Sequence, residues 1–437
     1  MDGNAGQRQA ASVWRFPMKK IAIVSEHASP LASPGSVDSG GQNIYVAQTA
    51  RRFAAAGHQV DIFTRRDNAC LPAEVAWHPG IRVIHVPAGP ARYVPKEDLL
   101  PYMDDFGAFL SRHFGLQARP YDVVHANFFM SALASLPAAR RHGVPLAVTF
   151  HALGRVRRLH QREADRFPDS RFQIESDIVR EADMIIAECP QDRRDLLNLY
   201  DADPRRIRVV PCGYDPQEMS VMDSGEARRR LAWRADEFRI LQLGRMVPRK
   251  GVDNVIEALG VLHRRHGVAA RLCVVGGDRR DSPELARLRA VADRAGVTPF
   301  VEFAGRRDRQ DLCCYYCASD VFVTTPWYEP FGITPVEAMA CGRPVVGSDT
   351  GGIRSTIKDG KTGFLVPARD PEALAARLAR LAADPGLRRQ MGLAGARRAR
   401  RRFTWRQVGN DLLAAYDELS PVQTLDAFQA RPQVLAA

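Results

Sequence analysis

The run Val321-Phe322-Val323-Thr324 and the nearby segment Glu329-Pro330-Phe331-Gly332-Ile333-Thr334-Pro335-Val336-Glu337 decide how the chain is read. Four apolar or β-branched residues with no polar interruption suit a strand covered on both faces, as in a parallel sheet. The loop that follows opens into a helix. Pro335 is suited to a helix start, which predicts Glu337 in the first turn. Phe331, Gly332 and Ile333 offer backbone N–H groups at that entrance, where aligned peptide dipoles attract anions. Glu329 and Glu337 bracket these amides, so the segment suits a ligand with phosphates for the amides and hydroxyls for the carboxylates.

The same alternation extends in both directions. Upstream, short apolar runs at 21–24, 59–63, 81–86, 123–125, 146–150, 184–187 and 207–210 read as strands, most separated by enough chain for a crossover helix. One such helix, at 42–56, stops at Gly57, a good C-cap residue. A second series falls at 239–244, 272–276, 301–304, 321–324, 344–348 and 363–366. Between the series the pattern breaks at Pro211-Cys212-Gly213-Tyr214-Asp215-Pro216 and a polar stretch at 224–234. The expected class is therefore α/β, two Rossmann-like doubly wound parallel sheets facing across a cleft, with the ligand at the carboxyl ends of the strands. The expected division is a leader at 1–17, a first domain at 18–213, a second at 214–402, a terminal helix at 403–420 with a route back to the first domain, and a tail at 421–437.

Composition bounds the partners. The 437 residues include 62 Lys+Arg against 50 Asp+Glu, a formal charge of +12, and arginine matches phosphate oxygens with a planar two-pronged contact. Nucleic acid, an anionic membrane surface and a phosphorylated small molecule all fit such an excess. Aromatics make up only 8% and are not interleaved with the basic clusters, so no nucleic-acid partner is expected. Seven arginines between 388 and 402 read as a solvated helix face, with peripheral contact to an anionic membrane as the alternative. No apolar run approaches the roughly 18 residues of a membrane span, and no signal peptide is evident. The eight cysteines form no regular framework, which suits a reducing cytoplasm. Cys314 and Cys317 make a C-x-x-C pair, but no second pair follows at zinc-ligand spacing; with Cys313 they read as a half-buried helix, and no metal is expected.

Three further loops follow strands and carry chemistry. Ser39-Gly40-Gly41-Gln42 precedes the first helix, where paired glycines let a ligand approach the backbone; it is not the G-x-G-x-x-G of dinucleotide enzymes. Gly244-Arg245-Met246-Val247-Pro248-Arg249-Lys250-Gly251 brings cations onto a loop that enters a helix, a set suited to pyrophosphate. Thr149-Phe150-His151 places a histidine at a strand's carboxyl end, facing the expected cleft. Asp201-Ala202-Asp203 has the form of a metal-binding Asp-x-Asp, but Pro204 follows and it reads as turn chemistry.

With these motifs the chain resembles the family 4 retaining glycosyltransferases of the GT-B fold. The strongest marker is the pair Glu329 and Glu337, followed by Ala340-Cys341-Gly342-Arg343-Pro344-Val345-Val346. The resemblance implies that Glu337 holds ribose hydroxyls and Glu329 those of the donor sugar. It implies that Arg245 and Lys250 hold the diphosphate, with Gly40, Gly41, Phe331, Gly332 and Ile333 completing the donor site, and that His151 lies near the anomeric carbon. Catalysis then falls to His151, Glu329, Arg245 and Lys250. The implied reaction is retaining, needs neither metal nor cofactor, and moves a hexosyl group from a nucleotide-diphosphate sugar, with UDP first, to a hydroxyl.

By motif the sucrose-phosphate synthases and inositol-phosphate glycosyltransferases resemble it most. Both imply a phosphorylated sugar or polyol acceptor, for which Lys96, Arg157 and Arg171 are the candidate ligands. Phe128 and Ala152 stand where the inositol-phosphate enzymes carry tyrosine and threonine. A lipid-linked or surface polysaccharide acceptor is the alternative; a sugar-nucleotide epimerase or a nucleic-acid-binding protein ranks lower.

Overall fold

A computed structural model describes residues 18–32, 40–277 and 282–419; the expected leader, the expected tail and Ser39 lie outside them. Strands β1 (Lys20–Val24), β2 (Gln59–Arg65), β3 (Glu74–His78), β4 (Ile81–Val86), β5 (Val123–Asn127), β6 (Leu146–Thr149), β7 (Met184–Ala187) and β8 (Ile207–Val209) form one sheet in the order β3-β4-β2-β1-β5-β6-β7-β8. Strands β9 (Phe238–Leu243), β10 (Ala270–Val275), β11 (Val301–Gly305), β12 (Val321–Thr324), β13 (Val345–Ser348) and β14 (Gly363–Val366) form a second, in the order β11-β10-β9-β12-β13-β14. The ladders are parallel except where β3 pairs with β4.

Central strands covered on both faces, such as β1, β7 and β12, read as apolar runs. In β1, Ile21 and Ile23 join one core while Ala22 and Val24 join another on the opposite face. β3 escaped the sequence reading for the converse reason. It is a short edge strand, Glu74-Val75-Ala76-Trp77-His78, whose residues alternate between exposed and half-buried, so no continuous apolar run marks it.

The strand order reverses between β1 and β5 in the first sheet and between β9 and β12 in the second. At such points neighbouring loops diverge and leave a crevice at the strands' carboxyl ends. The candidate residues emerge there: Asn127 ends β5, His151 follows β6, Gly244 and Arg245 follow β9, and Glu329 lies in the loop after β12.

One expectation fails locally. The helix after β12 spans Ile333–Ala340 with Gly332 at its N-cap, so Pro335 lies inside the first turn and Glu337 in the second. Proline is tolerated there because N–H groups of the first turn have no intrahelical partner. Glu337 is therefore not at the dipole's positive end.

The helix Trp405–Asp417 leaves the second half and lies on the helix Gly41–Ala55 of the first. The buried Trp405 ring meets Tyr45 edge-on at 5.9 Å, and Tyr416 Oη lies 2.6 Å from His125 Nδ1. Where the chain passes between halves, Tyr214 N–H donates to Phe403 O at 2.7 Å and Trp405 N–H to Tyr214 O at 3.1 Å. Among the described residues no helix is long and apolar enough to cross a membrane.

Candidate active site

His151 is held by its backbone and by both ring nitrogens. It has φ 56° and Phe128, directly after β5, has φ 87°; such left-handed conformations in non-glycine residues cost energy and gather at functional sites. Nδ1 lies 3.0 Å from Glu188 Oε1 and Nε2 3.0 Å from Asn127 Oδ1. The Asn127 amide donates to His125 O at 3.2 Å, which turns its oxygen toward the imidazole. Tyr45 packs edge-on against the same ring at 4.9 Å. Glu188 also accepts from Cys212 Sγ at 3.0 Å, and that thiol is pushed up by burial and by the charges of Glu188 and Glu329. His151, Glu188 and Glu329 therefore surround one region.

Across the cleft, Lys250 Nζ forms a close ion pair with Glu329 Oε2, and Arg249 lies 3.9 Å from the same oxygen. Burial pushes the Lys250 ammonium below the usual lysine range; Glu329 opposes this while Arg249 and Arg245 reinforce it. Burial would raise the Glu329 carboxyl, yet Lys250, Arg249 and Arg245 hold it below the usual glutamate value. Lys250, Arg249 and Arg245 thus bring positive charge around the Glu329 carboxylate, a set suited to a diphosphate. Gly40 and Gly41 adjoin it from the first half: a Cβ on Gly40 would lie 3.9 Å from the Arg245 guanidinium carbon, and one on Gly41 3.6 Å from Ile333. Phe331, Gly332 and Ile333 lie at the entrance of the Ile333–Ala340 helix beside this cluster. A narrow cavity between the halves is lined by Val156, Cys189, Asp192, Tyr328, Glu329 and Gly351.

The Glu329 turn has a backbone support that the sequence did not reveal. Gly351, at φ 47°, sits so close that a Cβ there would fall 2.0 Å from Glu329 O, and Gly352 N–H donates to that oxygen at 2.9 Å. Glu337 is buried behind the amide cluster, 3.0 Å from Arg309 Nη2 and accepting from Tyr316 Oη at 3.0 Å.

The proposed acceptor cations are arranged differently. Lys96 follows β4 and lies 3.4 Å from Glu97; Arg157 bonds Asp165 at 2.8 Å. Arg171 corrects the sequence reading: it is 0% exposed, bonded to Glu175 at 2.7 Å and to Ala152 O, and its guanidinium carbon lies 4.5–5.0 Å from the ring centres of Phe128, Phe129 and Phe167. Its charge is already met inside the protein, so here it braces the turn after His151 instead of presenting a free cation to solvent. Asp203 accepts from Arg205 N–H at 2.9 Å within its turn.

Sequence reasoning missed Asn127, Glu188 and Tyr45 around His151, and Arg309 and Tyr316 behind Glu337. Asn127 and Glu188 carried a usable signal, since both stand at carboxyl ends of apolar runs.

Residues 39–218 match the family "Glycosyltransferase Family 4" and residues 223–398 match "Glycosyl transferases group 1". The D-inositol 3-phosphate glycosyltransferase of Acidothermus cellulolyticus is 37% identical over 406 residues, spanning 91% of this chain and 90% of its own. The chain belongs to the family 4 glycosyltransferases. The D-inositol 3-phosphate glycosyltransferase of Actinosynnema mirum is 37% identical over 418 residues, covering 93% of this chain and 98% of its own. Among solved structures, sucrose-phosphate synthase from Thermosynechococcus elongatus superposes with TM-score 0.84 at 31% identity, over 92% of this chain and 99% of that one. HepE of Anabaena, solved with UDP, shares the fold with TM-score 0.71 at 19% identity, over 92% and 100% of the two chains. The protein is thus a GT-B glycosyltransferase, an enzyme of the hexosyltransferase class.

Proposed function

We propose that the protein transfers a hexosyl group, with retention and without a metal, from a nucleotide-diphosphate sugar to a hydroxyl of a sugar phosphate or polyol phosphate. The observation that carries this reading is the Arg245, Lys250 and Glu329 cluster beside the amides of Phe331–Ile333, facing Gly40 and Gly41 across the cleft. As the bond from the anomeric carbon to the β-phosphate oxygen breaks, negative charge grows on that phosphate. Arg245, Lys250 and the helix-entrance amides are the groups that meet it, and being fixed beforehand they need no reorganisation.

In this reading Glu329 exchanges its Lys250 contact for donor-sugar hydroxyls, and Glu337 accepts from the ribose. His151, oriented by Asn127 and Glu188, lies on the opposite wall beside the sugar. The acceptor oxygen attacks the face the nucleotide leaves, and its proton passes to the departing phosphate oxygen. UDP is the nucleotide we favour, the one bound in HepE. A phosphorylated acceptor is supported by the names of the D-inositol 3-phosphate and sucrose-phosphate enzymes, with Lys96 and Arg157 as its first-half contacts.

A thermal-shift screen of UDP-, GDP- and ADP-sugars tests the donor, since a ligand that binds only the folded state raises apparent stability. Product NMR with inositol phosphate or a hexose phosphate then reads the acceptor and the anomeric configuration. UDP-sugars are expected to give the largest shift and the product to keep the donor's configuration. Loss of turnover in EDTA with rescue by Mn²⁺ would overturn metal independence; an inverted product would overturn retention.

A further inference from the structure

Three thiols from two helices meet in the second half. Cys313 and Cys317 lie four residues apart on the helix Arg309–Ala318, hence on one face, and Cys341 directly follows the helix Ile333–Ala340. The three sulfurs all lie within 4.8 Å of one another, with Cys313 Sγ 3.9 Å from Cys341 Sγ. An ion bound to three sulfurs at about 2.3 Å holds them roughly 3.8–4.0 Å apart, so the cluster already stands near the spacing that a shared ion requires. The C-x-x-C pair visible in the sequence is not the one the fold assembles, because Cys314 turns away to Ala227 O at 3.5 Å.

The surroundings fix these sulfurs. Cys313 and Cys317 both face Ser220 O, at 3.3 and 3.4 Å, and Met222 N–H donates to Cys317 Sγ at 3.4 Å. Cys317 and Cys341 are 0% exposed and Cys313 is 8% exposed, which leaves Cys313 as the point of entry.

We propose that Cys313, Cys317 and Cys341 form a binding site for a single thiophilic d¹⁰ metal ion, of the Cu⁺ or Zn²⁺ type. Soft thiolate sets select such ions. Each thiol that ligates gives its proton to solvent and forms a metal–sulfur bond; no electron is transferred and no oxidant is needed. The Arg309–Ala318 helix carries Arg309 and Tyr316, which hold Glu337, and Cys341 ends the helix that carries Glu337. An ion here ties the two elements that position this glutamate. The site is distinct from the transfer reaction, which remains free of metal in the reading above.

The full chain, reduced and stripped of metal, is titrated with Cd²⁺, whose sulfur-to-metal charge-transfer absorption counts thiolates, and Cu⁺ and Zn²⁺ then compete for the site. A single ion with three sulfur neighbours is expected, together with a higher Tm. Affinity should fall by more than about ten-fold in Cys313→Ser, Cys317→Ser or Cys341→Ser and hold in Cys70→Ser and Cys314→Ser. The competition decides between the two ions: Cu⁺ displacing Cd²⁺ at lower free concentration assigns a copper site, and Zn²⁺ doing so a zinc site. X-ray absorption on the Cd²⁺-loaded parent protein counts sulfur neighbours without any substitution. Fewer than three, no uptake, or uptake indifferent to all three serine variants would overturn the proposal.

Discussion

Lys250 and Glu329 are each other's nearest charged partners, yet both lie below their usual values: burial, reinforced by Arg249 and Arg245, lowers Lys250, and the three cations lower Glu329 against the pull of burial. A cation held in that way is most valuable when a doubly charged leaving group develops. Replacing Lys250 with alanine is expected to lower kcat by about 10²–10³, the range for losing one fixed donor to developing charge, with a smaller rise in donor KM; steady-state kinetics at saturating acceptor reads it. A rise in KM with kcat intact would reassign Lys250 to ground-state binding. Asp192 makes a second prediction at this scale. Burial and the Glu188 charge push its carboxyl from 3.8 up to about 8, so the folded chain retains a proton that the unfolded chain releases near pH 4. The stabilisation is complete below that point and is lost as pH rises toward 8. Thermal melts across this range should show the parent losing stability with rising pH relative to Asp192→Asn, and parallel profiles would refute the assignment.

At the scale of elements, the helix Ser170–Glu181 illustrates what a sequence conceals. Arg171 and Glu175 are legible as an i,i+4 pair, but nothing in their spacing tells that three phenylalanines enclose them. Removing one partner of a buried pair leaves the other charge uncompensated, at a cost of about 3–5 kcal/mol. Arg171→Met is therefore expected to lower the midpoint of urea unfolding strongly, and adding Glu175→Leu not to restore it, because Gly154 N–H and Tyr200 Oη would then lose their acceptor. A variant with parental stability and a raised acceptor KM would return Arg171 to direct acceptor binding. The strands show the opposite case. β7, β12 and β14 are recoverable to the residue because burial on both faces leaves its mark in four consecutive residues that are apolar or small, or β-branched; β4 is recoverable too, although Arg82 and His85 interrupt its apolar residues. β3 is not, since an exposed edge imposes no such run. The site divides in the same way. Gly40, Arg245, Lys250, Glu329 and His151 stand at strand ends or helix entrances and are found by position, whereas Arg309, Tyr316 and Gly351 reach the site through tertiary packing that no local pattern encodes.

On the scale of the whole molecule, the two halves share one apolar core, which runs from Ile21 and Tyr45 through Tyr214 and Trp405 to Phe322 and Tyr316. The helix Trp405–Asp417 closes that continuity, and its polar anchor is a buried chain: Tyr416 Oη lies 2.6 Å from His125 Nδ1, and His125 Nε2 lies 2.8 Å from Thr149 Oγ1. Burial, aided by the neighbouring His151, pushes His125 from 6.5 down to about 3, so the ring stays neutral and can accept from Tyr416 at its Nδ1 while donating from Nε2. Because that value is depressed, the contribution of His125 to stability falls as pH drops from about 6.5 toward 3, where the unfolded imidazole gains a proton that the folded one refuses, opposite in sign to that of Asp192. Tyr416→Phe keeps the ring packing against Phe53, 5.7 Å between centres, and removes only the hydroxyl, leaving a buried acceptor without its donor. The expected cost is about 1–3 kcal/mol, read as a lower urea midpoint with an unchanged slope. The slope matters because Tyr416 belongs to the second half's terminal helix while His125 lies in the first sheet. If the shared core makes the halves unfold as one unit, the loss appears in a single transition followed alike by tryptophan fluorescence and circular dichroism. Two separated transitions, with only the first displaced, would show instead that the terminal helix stabilises the first half alone.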